Sequence, residues 1–372
     1  MTRGPATLTG GQGWRATGVV SGFVLKLARQ STALTQERLA EVLGVDVTTV
    51  QGWESGRRAL GAMNTGEFLR LSGRLSRLGA PASTRRHLLE AIEADQVLST
   101  GITAGATWVD ADTHPLAASV HRWTTTNLIT WPIIRKVPQH LHEFTSKVAR
   151  RGPVPTHPSL SADERTRFFD HLLTVAERGT HAGEALLRRQ AVYLLGFDGR
   201  PQVVDWLLVE WKRAGRRPVK HGDITGVLEA RSASVALASA GDGTHLCDFV
   251  EHTTDVRAEA ANLNYWAHWI GELNEEQTSD SFMLDTDTRS WMGARLLQHL
   301  TSRLEPDSPH LPLNLHTLHA LIASRQSLLG GRPAVRASLA EVLAKLASTD
   351  RLNRTGRDQL AGLQYALRIA DH

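Results

Sequence analysis

The chain of 372 residues has a single cysteine, Cys247, so no intrachain disulfide can form and the usual mark of an oxidising compartment is missing. No apolar run reaches the length of a membrane span, and the first residues, MTRGPATLTGGQGWRATG, lack the apolar core of a secretory signal. A cytoplasmic location without membrane partners is expected. Strand-like alternation of apolar and polar residues is nearly absent, which argues against a sheet and for an all-α chain. Catalytic signatures are missing too: there is no GxxxxGK[ST] phosphate loop and no GxSxG elbow, and Cys247 has only His245 beside it. Neither enzymatic activity nor a cofactor is expected.

The 17 histidines do not fall into metal-binding spacing. His140 and His142 are two apart and point to different helix faces; His316 and His319 share a face but have no cysteine or fixed acid beside them in sequence. Residues 284–288, LDTDT, lack the glycine and closing glutamate of a calcium loop. Spacing along the chain therefore gives no reason to expect a metal.

Charge is unevenly placed. Residues 1–100 carry 12 Lys plus Arg against 8 Asp plus Glu, whereas the remainder carries 30 of each. All the excess positive charge lies in the first hundred residues, which favours a polyanionic partner for that part.

The same part contains residues 34–60, LTQERLAEVLGVDVTTVQGWESGRRAL. Thr35 can cap a helix over residues 36–43, where Leu39, Val42 and Leu43 lie at helical spacing. Gly44 supplies the residue type that ends a helix in a tight left-handed turn, and Asp46 offers a second cap for residues 47–54. Ala40, Gly44, Val50 and Trp53 stand where two crossing helices need a small side chain, a turn former and two core plugs.

This stretch resembles the lambda-repressor/Cro-like helix-turn-helix, the XRE family, over roughly residues 20–80. The resemblance implies a domain that binds double-stranded DNA, of the kind found in bacterial regulators; a single helix-turn-helix makes too few contacts for tight specific binding, so a homodimer on two half-sites is the physical expectation. The resemblance implies that Gln36 braces a phosphate, that Val47, Thr48, Thr49 and Gln51 face the major groove, and that Arg57 and Arg58 meet the backbone. It also implies a buried structural ion pair between Arg29 and Glu54. Val47 stands where several relatives carry Gln or Arg, and Gly52 occupies a later reading position. Few direct base contacts per subunit are expected: a thymine methyl for Val47, an adenine for Gln51.

Along the rest of the chain, residues 1–17 read as an arm and residues 18–98 as the DNA-binding domain. That domain has a first helix over 19–29, a fourth over 65–78 and a fifth over 81–98. The fourth carries an arginine stripe, Arg70, Arg74 and Arg77. Residues 99–160 read as linker and coupling region: STGITAGATWVDAD first, then short helices broken at Pro132 and Pro138, then the proline-rich stretch 151–160. Residues 161–372 read as helices over 161–178, 182–195, 201–214, 223–240, 255–273, 288–304, 313–329, 333–346 and 355–370, forming a bundle or a solenoid-like stack of helix pairs. No fixed repeat period or tetratricopeptide signature is found. Tyr265, Trp266 and Trp269 share one helix at spacings that suit either core packing or the lining of a pocket for a small-molecule or peptide effector. Two functions fit: a transcriptional regulator, more often a repressor, or a helical adaptor or antitoxin-like protein whose main partner is another protein.

Overall fold

The buried carboxylate of Asp95 ties the first described helix to the longest one. Both of its oxygens accept backbone N–H groups at the start of that helix, from Val20 and Ser21, each at 2.9 Å. The structure is a computed structural model that describes residues 18–144, 155–215, 224–252, 256–285, 290–330 and 332–370. The arm at 1–17, the ends of the coupling region at 145–154 and residues 286–288 of the LDTDT loop lie outside the described residues. Among the described residues there are sixteen α-helices and no strand. None of these helices is long and apolar enough to cross a membrane.

The chain divides into two units, Met1–Gly105 with Asn127–His171, and Ala106–Thr126 with Leu172–His372. The first contains α1 (Val19–Ser31), α2 (Gln36–Leu43), α3 (Val47–Glu54), α4 (Thr65–Arg77) and α5 (Thr84–Ala104). It also takes the end of α6 (Trp123–Ile134) and the start of α7 (Ala162–Arg178). α1 packs on α3 and α5, and α2 on α3 and α4. Val20, Val24, Leu39, Val50, Leu75 and Leu88 are fully buried in this core. Trp131 of α6 meets the ring of Phe23 edge-on, with centroids 5.1 Å apart.

Two features of this unit differ from the sequence reading. Helix α5 runs to Ala104, through the residues STG that read as linker. Gly101 is there for packing, because a Cβ would stand 2.7 Å from the Phe168 ring on α7. Pro132 lies inside α6 and does not break it. It sits two residues from the helix end, so a single backbone hydrogen bond is forfeited, and Arg135 then leaves the helix with φ 58°.

The second unit contains α8 (Ala185–Leu195), α9 (Pro201–Gly215), α10 (Ile224–Ser239), α11 (Thr244–His252), α12 (Val256–Trp269), α13 (Ala294–Thr301), α14 (Leu311–Ser324), α15 (Pro333–Ala347) and α16 (Arg354–Ala370). α10 packs on α8, α9 and α11, while α14 packs on α11, α12, α13 and α16. A solenoid would join each helix pair only to its neighbours; a central α14 touching four helices makes this unit an irregular bundle. Leu297, Leu315, Leu318, Leu339 and Leu343 belong to its leucine-rich core. α8, α9 and α10 are also tied by charge: Arg188 donates to Glu210 at 2.6 Å and to Glu229 at 3.3 Å, and Arg213 bonds both carboxylates. The segment before α6 is held to α8 by Gln190. Its amide donates to the carbonyls of Leu116 and Ser119, and its oxygen accepts from the His121 N–H.

Candidate nucleic-acid interface

The turn between α2 and α3 is built as its residues dictate. The Thr35 hydroxyl accepts the Arg38 N–H at 3.1 Å, capping α2. Gly44 ends the helix in the left-handed region at φ 69° and ψ 34°, and the N–H of Val45 returns to the Ala40 carbonyl at 3.0 Å. Asp46 then caps α3, accepting the Thr48 N–H at 2.7 Å and the Thr48 hydroxyl at 2.6 Å. Those two bonds, the hydroxyl first, hold the Asp46 carboxyl below the usual carboxylate range, so it stays ionised at the helix N-terminus.

The frame behind the turn is a buried ion pair. Arg29 of α1 forks onto Glu54 at the end of α3, Nε to Oε1 at 2.6 Å and Nη2 to Oε2 at 2.9 Å, and its Nη1 donates to the Leu34 carbonyl at 2.6 Å. A third partner joins: the Gln36 amide nitrogen donates to Glu54 Oε2 at 2.7 Å. Gln36 is therefore fixed at the first residue of α2, with its remaining amide hydrogen unspent in this bond. α1 approaches α3 closely, and a side chain at Gly22 would run into the Trp53 carbonyl.

On α3, Thr48 is exposed, Val47, Thr49 and Gln51 are half-buried, and Val50 is fully buried in the unit's core. Trp53 is half-buried, so it is a partial plug rather than a core residue. Arg57 and Arg58 follow α3 and are exposed; Arg57 Nε donates to the Ser55 hydroxyl at 3.1 Å. Arg58 folds back, its Nη1 donating to the Thr49 hydroxyl at 2.9 Å. The structure thus brings Val47, Thr48, Thr49, Gln51 and Arg58 onto one short helix and its exit. Arg70, Arg74 and Arg77 are exposed on α4.

Tyr265, Trp266 and Trp269 lie in the other unit, on α12. Tyr265 and Trp266 are buried, and Tyr265 stacks on Trp269 with centroids 5.9 Å apart. The Arg231 guanidinium covers the Tyr265 ring at 4.4 Å, and His299 meets Trp266 at 5.9 Å. Two cavities of this unit, one of about 340 Å³ between Gly241, Cys247, Pro309 and Gln359 and one of about 210 Å³ between His319, Leu363 and Ile369, are lined by none of the three.

A capped helix, a left-handed glycine turn and a second capped helix locked by an ion pair define a helix-turn-helix DNA-binding unit. Residues 25–64 match the helix-turn-helix family model HTH_3, the XRE/Cro-like type. The chain therefore carries a DNA-binding helix-turn-helix in an otherwise helical protein. Comparison with curated proteins and with solved structures gives no match.

Proposed function

We propose that the protein is a cytoplasmic, sequence-specific transcription regulator acting as a repressor. The observation that carries this reading is α3, which the Arg29–Glu54 pair holds rigidly while Thr48 stands exposed beside Val47, Thr49 and Gln51. One such helix makes few base contacts, so tight specific binding calls for a homodimer on two half-sites about 34 Å apart, one turn of DNA. Occlusion of a promoter by such a dimer needs no further machinery and no catalytic step. The helical bundle supplies dimerisation and the place where a small-molecule or peptide effector shifts DNA affinity.

The test is selection of bound fragments from the source genome with the purified full chain. Affinity is then measured at several salt concentrations for the wild type and for a Thr48→Ala, Gln51→Ala double variant. A recurring two-fold symmetric site, a steep loss of binding with salt and loss of the preference in the folded variant support the regulator. Weak binding indifferent to sequence in every condition overturns it and moves the protein-adaptor reading ahead.

A further inference from the structure

His87, Glu90, His140 and Glu143 are scattered in sequence but meet in the unit that carries the helix-turn-helix. One donor atom from each of His87, Glu90 and His140 lies within 4.8 Å of the others. His87 is fully buried on α5, one turn before Glu90, and its two ring nitrogens face two carboxylates. Nδ1 lies 3.0 Å from Glu90 Oε2, and Nε2 lies 2.7 Å from Glu143 Oε1. Glu143 Oε1 is itself fixed by the Ser83 hydroxyl at 2.5 Å. The His140 ring leans over His87, with centroids 5.0 Å apart at a tilt of 43°.

A neutral imidazole has one N–H. If Nε2 donates it to Glu143, the Nδ1 lone pair faces a carboxylate oxygen, and something positive must lie between the two acceptors. A proton, on the ring or on the carboxyl, meets that need, and so does a metal ion. The position of His140 favours the metal: it brings a third donor atom to within 4.8 Å of those of His87 and Glu90, from a separate part of the chain. The other Glu90 oxygen, Oε1, has the Arg86 guanidinium at 3.8 Å, which leaves Oε2 to turn inward.

We propose that His87, Glu90 and His140 bind a divalent transition metal of the zinc, cobalt and nickel class. Two imidazoles and one carboxylate suit that class better than magnesium or calcium, which prefer all-oxygen shells. Metal–ligand bonds of about 2.0–2.1 Å put tetrahedral donors roughly 3.3 Å apart; His87 Nδ1 and Glu90 Oε2 already stand at 3.0 Å, so any closing-in on loading falls to the half-buried His140. Glu143 takes the role of the carboxylate that orients a ligand histidine through its far nitrogen. The metal bridges α5 and the turn at Gln139–Leu141, within one unit and whatever sequence the helix-turn-helix reads.

The experiment is titration of chelator-stripped full chain with Co²⁺, followed by visible absorption, and with Zn²⁺, followed by calorimetry. The wild type takes up one tight equivalent with d–d bands of a nitrogen–oxygen site. His140→Ala and Glu90→Gln each weaken that site by more than roughly a hundredfold, and Glu143→Gln by roughly ten- to a hundredfold, as for outer-shell partners. Circular dichroism confirms that each variant is folded, and His319→Ala leaves the site unchanged. If the wild type takes up no tight equivalent, or if its affinity survives both Glu90→Gln and His140→Ala, the site is overturned and the cluster is a hydrogen-bonded contact of His87 with two glutamates.

Discussion

Arg58 reaches back across Gly52 to donate to the hydroxyl of Thr49 at 2.9 Å. A Cβ on Gly52 would stand 3.1 Å from Arg58 Cδ and 3.2 Å from Cγ, so the bare glycine is what lets the arginine lie along α3. Gly52 has no side chain of its own to present, yet it sets where a guanidinium sits beside the half-buried Thr49. On the proposed function this places Arg58 toward the groove as well as toward the backbone.

The two arginines that follow α3 should separate on this ground. Arg58→Ala is expected to cost about 1–3 kcal/mol of binding and to relax the preference at one position of the site. Arg57→Ala should weaken all sequences alike and lower the salt slope by about one. Gly52→Ala should resemble the Arg58 change in a milder form. Fragment selection with the three variants measures this; identical profiles for the Arg57 and Arg58 variants would count against it.

Breaking the Arg29–Glu54 pair on one side leaves a buried charge. Glu54→Met is expected to destabilise the first unit by about 3–5 kcal/mol, and the Arg29→Met, Glu54→Met double variant to recover most of the loss. Denaturant unfolding of the single and double variants closes the cycle.

Asp95 answers to pH in an unusual direction. Burial raises its pKa to about 6, against 3.8 for the free side chain, although the N–H groups of Ser21 and Val20 pull the other way. The folded chain thus holds the proton more tightly than the unfolded one. This contribution to stability is full below 3.8 and is lost as pH rises through 6. Lowering the pH from 7 to 4.5 should therefore stabilise the wild type by about 2 kcal/mol relative to Asp95→Asn, read from denaturant midpoints.

Three histidines of the second unit work in the opposite sense. Burial first, then Arg189, Arg303 and His319 respectively, lowers the pKa of His121, His299 and His316 to about 4. Their neutral rings contribute stability above the unfolded value of 6.5, and it is lost as pH falls through 4. Each should cost about 1 kcal/mol per pH unit within that interval. His299→Gln should flatten the acid transition of Trp266 fluorescence, since the two rings touch.

Gly101 offers a test of packing alone. Gly101→Ala puts a methyl against the buried Phe168 ring and should cost about 1–3 kcal/mol despite the better helix propensity of alanine. Adding Phe168→Leu should recover part of the loss, measured by thermal unfolding.

The helix-turn-helix is legible because its determinants act over a few residues: Thr35, Gly44 and Asp46 each bond to backbone within five positions. What depends on helices crossing is not. The bond from Gln36 to Glu54 exists only because α2 starts beside the end of α3. Ser99, Thr100 and Gly101 look like linker by composition, but they continue α5, and the bare Gly101 is a seat for Phe168. Helix α11 escapes notice because its nine residues bury only Leu246 and Val250, too little to form a stripe. The meeting of His87 with His140 likewise has no trace in spacing, since one stands on α5 and the other in a turn beyond α6.

Glu54 closes α3, takes the charge of α1 through Arg29 and holds the first side chain of α2 through Gln36. One carboxylate is thus the keystone of the frame, and it sets the angle at which α3 is presented. Thr48 and Gln51 are outside that bonding, so on the proposed function substitution at those positions re-cuts the reading head while the mount that aims it is left untouched.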